Sequence, residues 1–130
     1  MKISRILILA ALLSLAHSVI GSAAEQPKVK DVTGLAELDL EADEYYFEPA
    51  FLRGTPGQKL KLEIENESST LHSFTIPEQN LDMNLPPKGK VVVEVTFPPS
   101  GVVRFFCRFH SALGMDGELL TGDATPRSPK

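Results

Sequence analysis

Between Lys59 and Glu65 the chain reads Lys-Leu-Lys-Leu-Glu-Ile-Glu, a strict alternation in which Leu60, Leu62 and Ile64 stand between charged neighbours. A period of two sends successive side chains to opposite faces, so this run predicts a strand with one face in a core and the other in water. The same alternation recurs in Glu37 to Ala42, where Leu38, Leu40 and Ala42 oppose three acidic residues, and again at Val91, Val93, Val95 and Phe97. Tyr45-Tyr46-Phe47 and Phe51-Leu52 favour strand through their aromatic and apolar side chains, with Pro49 limiting the ladder between them. Leu71 to Ile76 places His72, Phe74 and Ile76 on one face, and Val103, Phe105 and Cys107 share the inner face of a later strand. Glu118 to Thr121 supplies a short closing strand. Thr55-Pro56-Gly57 and Pro98-Pro99-Ser100-Gly101 are turn signals, whereas residues 77–90, with Pro77, Pro86, Pro87 and Gly89, read as a long excursion with a helical turn around Gln79 to Met83. No segment carries a helix of three turns. About seven short strands predict an all-β, Greek-key antiparallel sandwich over residues 37–122.

The ends read differently. Basic Lys2 and Arg5, an apolar run from Ile6 to Leu13 that continues loosely to Ile20, and small Gly21-Ser22-Ala23-Ala24 follow the order of a secretory signal peptide over residues 1–24. An uncleaved anchor is the competing reading, but Ser14, His17 and Ser18 interrupt a stretch already short of the roughly 20 residues that span a bilayer. Cleavage after Ala24 removes 24 of the 130 residues and leaves 106, enough for one domain. It also leaves 11 of the 13 basic residues against all 17 acidic ones, a formal charge of −6 that disfavours nucleic acid as a partner. Residues 25–36 predict a flexible lead-in, and residues 123–130, with Pro126 and Pro129, a disordered tail.

The single cysteine, Cys107, cannot form an internal disulfide, and a free thiol in an oxidising compartment is a liability unless something occupies it. His110 follows three positions later and Met115 five after that, so thiolate, imidazole and thioether crowd into nine residues. Soft sulfur beside imidazole suits copper better than magnesium, calcium or manganese. A copper site of the electron-transfer kind needs two histidines, one cysteine and a weak axial methionine. Of the three histidines, His17 falls in the signal segment, which leaves His72 as the remaining ligand. Taken singly, each residue has a plainer reading: Cys107 as a small buried hydrophobe, His72 as a hydrogen-bonded core histidine, His110 as a loop-surface residue, Met115 as a gap filler. Cysteine with two histidines also serves catalytic zinc with an open fourth position, and Met115 in that position argues for copper instead.

The motif Phe105-x-Cys107-x2-His110-x4-Met115-x-Gly117, with His72 on an earlier strand, resembles the cupredoxins, and within them the small plastocyanin-like blue copper proteins. Tyr46-Phe47-x-Pro49 followed by Gly57 is similar to the second-strand region of small periplasmic members. The resemblance spans roughly residues 37–122 and implies a cupredoxin-like sandwich holding one copper ion. Carried over by position, it makes His72, Cys107 and His110 the equatorial ligands and Met115 the axial one. Many relatives have asparagine directly after the first histidine, where this chain has Ser73, a side chain that bonds less extensively near the thiolate. The interval from His72 to Cys107 is shorter than in photosynthetic plastocyanins, which implies a reduced sandwich.

Counting disfavours copper enzymes. Two imidazoles in the mature chain are too few for a trinuclear cluster or a second histidine-rich copper, and one cysteine excludes a dinuclear site bridged by two. The expectation is a monomeric, periplasmic or secreted one-electron carrier that meets a redox partner protein, without substrate turnover and without an integral membrane segment after cleavage. Copper delivery through the same site is the alternative. Delivery sites tend to be rich in methionine and histidine, whereas the mature chain has only Met83 and Met115.

Overall fold

The computed structural model describes residues 25–127 together with Gly21 and Ala23, so the expected signal segment lies almost entirely outside the described residues, as do residues 128–130. Ten strands follow in order: β1 Val29–Asp31, β2 Glu37–Asp43, β3 Tyr46–Glu48, β4 Phe51–Gly54, β5 Lys59–Asn66, β6 His72–Ile76, β7 Leu81–Leu85, β8 Lys90–Thr96, β9 Gly101–Phe106 and β10 Asp116–Thr121. Two 3₁₀ turns, Pro77–Gln79 and Ser111–Leu113, complete the inventory, and there is no α-helix among the described residues.

The strands form two sheets, one of six in the order β1-β4-β10-β9-β6-β7 and one of four in the order β3-β2-β5-β8. Sandwich architecture follows from the alternation: β5 buries Leu60, Leu62 and Ile64 completely and turns its lysines and glutamates outward. Those three residues join Leu40, Phe47, Leu52, Phe74, Ile76, Val95 and Phe105 in one apolar cluster between the sheets, each large side chain contributing about 1.5–3 kcal/mol by burial. Phe47 of the smaller sheet meets Phe74 and Phe105 of the larger one edge-on, at centroid separations of 5.8 and 5.4 Å.

The structure revises five expectations. Among the described residues the strands number ten instead of about seven, and the sheets are mixed, because β4 runs parallel to both β1 and β10 and β2 runs parallel to β5. The lead-in is not wholly flexible: β1 pairs with β4, and Val32 after it is fully buried. The excursion at residues 77–90 holds a 3₁₀ turn at Pro77–Gln79, and the expected helical turn to Met83 is instead β7, an edge strand paired antiparallel to β6, with Met83 exposed. The tail is described as far as Arg127, which pairs with Asp116 and Glu118, while Arg53 donates to the carbonyls of Gly122 and Ala124.

Candidate metal centre

Three of the four predicted ligands come together at one end of the larger sheet. His72 opens β6, Cys107 directly follows β9, and β6 and β9 are bridged at Thr75 and Phe106. Phe74 and Phe105 lie two positions from His72 and Cys107 respectively, and their rings pack with centroids 5.0 Å apart in the core. Alternation along each strand therefore carries that packing to the ligand positions.

The loop that carries the rest is closed by its own backbone. The His110 amide donates to the Cys107 carbonyl, the Met115 amide to the His110 carbonyl, and the Cys107 amide to the Met115 carbonyl at 3.0 Å. Ser111–Leu113 makes one 3₁₀ turn, ended by Gly114 at φ +85°, a left-handed conformation that glycine adopts without steric cost. Met115 is fully buried in the core cluster, and its backbone carbonyl accepts the Cys107 amide.

The Cys107 Sγ lies 3.4 Å from His110 Nδ1 and 4.0 Å from His72 Nδ1, and the two Nδ1 atoms are 3.1 Å apart. A point equidistant from all three atoms falls inside their triangle, about 2.1 Å from each, close to the ~2.0–2.3 Å at which nitrogen and thiolate hold a zinc-sized ion. The donor set thus fits one soft-to-borderline metal ion, which His72, Cys107 and His110 would hold. Burial holds the His72 pKa below the ordinary histidine value, and the neighbouring His110 lowers it further, against a smaller opposing pull from Glu44 and Asp43. A neutral imidazole is the form that ligates metal.

Around these donors the polar groups are paired. The Ser73 amide points at the thiol sulfur at 3.4 Å, and the Ser68 hydroxyl sits 2.9 Å from His72 Nε2. The Tyr45 ring packs against the half-buried His110 ring at 4.6 Å, tilted by 44°, and exposed Phe109 and Leu113 lie on the same loop as His110. Sequence reasoning missed Ser68 and Tyr45. Ser68 stood in a run of polar residues with nothing to single it out, although its spacing of four from His72 was visible; Tyr45 read only as a strand aromatic.

A sequence model of the cupredoxin-like domain matches residues 5–120. The chain belongs to the cupredoxin-like family. No curated protein matches this cupredoxin-like chain in sequence. Among solved structures it is similar to the metal-binding domain of CopA, the Cu(I)-exporting P-type ATPase of Streptococcus pneumoniae, solved with Cu(I). That match has a TM-score of 0.64 at 10% identity and covers 76% of this chain and all of that one. It is also similar to dithionite-reduced auracyanin from the photosynthetic bacterium Roseiflexus castenholzii, with a TM-score of 0.57 at 17% identity over 67% of this chain and 97% of that one. Auracyanin A, a blue copper protein of Chloroflexus aurantiacus, gives a TM-score of 0.55 at 17% identity over 72% and 100% of the two chains. At these identities the likeness is one of fold. Among the described residues, no helix is long and apolar enough to cross a membrane.

Proposed function

We propose that this cupredoxin-like chain holds one copper ion through His72, Cys107, His110 and Met115 and serves as a one-electron carrier in the periplasm or outside the cell once residues 1–24 are removed. The observation that carries the reading is the convergence of the Cys107 Sγ with two histidine Nδ1 atoms at 3.1–4.0 Å. Bound copper would supply reversible Cu(I)/Cu(II) exchange. The chain's own residues would do the rest: the Cys107 thiolate and the His72 and His110 imidazoles would hold the ion, the thioether of buried Met115 would tune its potential, and the closed backbone loop keeps the donors in place. A frame that changes little between oxidation states lowers the reorganisation each transfer requires. His110, half-buried among Tyr45, Phe109 and Leu113, is the ligand best placed to face a redox partner protein. The protein acts as a monomer without substrate turnover.

The test begins with a visible spectrum after Cu(II) loading. An intense thiolate-to-copper band is expected, and Cys107→Ser should abolish it. Absence of the band in the wild type would refute the site. The loaded protein is then reduced and challenged with a moderate Cu(I) chelator while electron exchange with a small redox protein is followed. Retention of copper with rapid exchange supports the carrier; fast stripping with negligible exchange would overturn it in favour of copper delivery.

A further inference from the structure

The hydrogen bonds behind His72 form a directed chain that begins at Asn66, six positions earlier, and runs through Ser68. Asn66 closes β5 and is fully buried. Its amide nitrogen lies 2.8 Å from the Thr70 carbonyl and 2.9 Å from the Leu85 carbonyl, and both of those oxygens can only accept. The side-chain oxygen of Asn66 must therefore point the other way, where it accepts the Ser68 amide at 3.0 Å. This orientation leaves the Ser68 hydroxyl, 2.9 Å from that same oxygen, facing an acceptor.

Ser68 has one hydroxyl proton. Asn66 Oδ1 and the Thr70 carbonyl at 3.2 Å both ask for it, whereas the Thr70 amide at 3.1 Å donates into the serine oxygen. His72 Nε2, at 2.9 Å, is the remaining neighbour. Were the serine proton turned toward Nε2, the buried Asn66 Oδ1 would confront the serine oxygen at 2.9 Å with no hydrogen between them. The arrangement that places a hydrogen in both 2.9 Å contacts has Ser68 donating to Asn66 and accepting from Nε2–H. No buried side-chain nitrogen or oxygen among the described residues lacks a partner.

We propose that Ser68, oriented by Asn66, is a positioning residue that locks His72 as its Nε2–H tautomer and so presents a bare Nδ1 to the metal. The inference rests on the copper reading above for its consequence, though not for the tautomer itself. Nδ1 is the atom that lies 3.1 Å from His110 Nδ1 and 4.0 Å from the Cys107 sulfur, so the lock aims the lone pair where the other donors converge. Asn66 also holds the carbonyl of Leu85, the residue paired with His72 across β6 and β7, and thereby braces the ligand from its backbone as well.

The experiment reads the tautomer directly. Long-range proton–nitrogen NMR on the metal-free wild type should show His72 protonated at Nε2 and bare at Nδ1. Ser68→Ala should lose that fixed tautomer and weaken Cu(II) binding about 10- to 100-fold, the usual effect of removing a partner behind a metal ligand. Ser68→Thr, which keeps the hydroxyl, should restore both. A wild-type His72 protonated at Nδ1 overturns the proposal without needing any variant to fold. So does a folded Ser68→Ala protein with unchanged tautomer and wild-type copper affinity. A wild type with the Nε2–H tautomer but no thiolate band refutes the copper reading, and with it the metal half of the proposal, while supporting the lock.

Discussion

The Ser73 hydroxyl oxygen accepts the backbone amide of Arg108 at 2.8 Å, across 35 positions of chain. Ser73 follows His72 and Arg108 follows Cys107, so one hydrogen bond fastens the two ligand-bearing segments immediately beyond their proposed ligands. The same serine directs its own amide at the Cys107 sulfur, and its hydroxyl meets Thr75, which in turn donates to Asp82. Where many relatives use asparagine, a serine here makes the tie with a shorter reach, helped by Thr75. Arg108 adds a second attachment by pairing with Asp82 and bonding Asn84 on β7.

Ser73→Ala should accordingly leave the partly buried Arg108 amide without its acceptor. The expected cost is about 1–3 kcal/mol of stability, measured by denaturant unfolding of the metal-free protein. In the copper-loaded protein the variant should also shift the midpoint potential, because one of the groups that fix the thiolate's surroundings has gone. An unchanged unfolding midpoint would mean that water replaces the serine without loss.

Gly117 is required by close approach. It pairs with Phe105 across β10 and β9, and a Cβ built on it falls well inside contact distance of the Phe105 ring and the Ala50 carbonyl. The backbone carbonyl cannot swing aside, and Phe105 is fully buried among Phe47 and Phe74. Gly117→Ala should destabilise by about 3 kcal/mol or more, the upper end for overpacking, and should loosen the nearby Met115. Chemical denaturation at two temperatures measures the loss, and a variant as stable as the wild type would contradict the packing described.

Acid should weaken the metal-free protein through His72. Its folded pKa lies below the ordinary value of 6.5, chiefly from burial and then from His110, with Glu44 and Asp43 pulling weakly the other way. The unfolded chain therefore takes up a proton that the folded one declines, and stability is lost as pH falls below about 6.5, down to the folded value, at no more than about 1.4 kcal/mol per pH unit. Above that window the contribution is level. Asp31, held down by the Thr33 amide, and Glu37, held down by Lys61, lose their stabilisation only lower, as pH falls from the carboxylate range. Urea unfolding across this range checks the sign, and stability that rises on acidification through the histidine window would refute it.

The sandwich was legible in the sequence wherever a strand has one wet face. In β5 the alternation of charged and apolar side chains maps directly onto exposure, and in β8 Val93 and Val95 are buried on either side of exposed Glu94. It was least legible at β1 and β7, the two edges of the larger sheet. β1 and β7 each pair on a single side, β1 with a parallel partner more than 20 positions away, and short edge strands carry little burial to reveal them. The buried strand β6 hides on both faces, so Ser73 and Thr75 could be placed opposite His72 and Phe74 without any sign that they too are covered. The ligand loop was readable because its donors are unusual residue types close in sequence. Asn66 and Ser68 were not, because common polar residues acquire a role only through the tertiary contact that brings them to His72 and Leu85.

Leu113 separates contact with a partner from the metal centre itself. It is 62% exposed on the 3₁₀ turn that follows His110, with Phe109 and Tyr45 exposed nearby, so it buries little in the free protein. Leu113→Arg should change stability by no more than about 0.5 kcal/mol and leave the copper band, potential and affinity as they were. A charge in an apolar rim must be desolvated when a partner closes over it, a cost paid only in the encounter. Electron exchange with a redox protein, followed by stopped flow, should therefore slow while exchange with a small uncharged reagent does not. Equal rates with the protein partner for variant and wild type would place the contact surface elsewhere on the molecule.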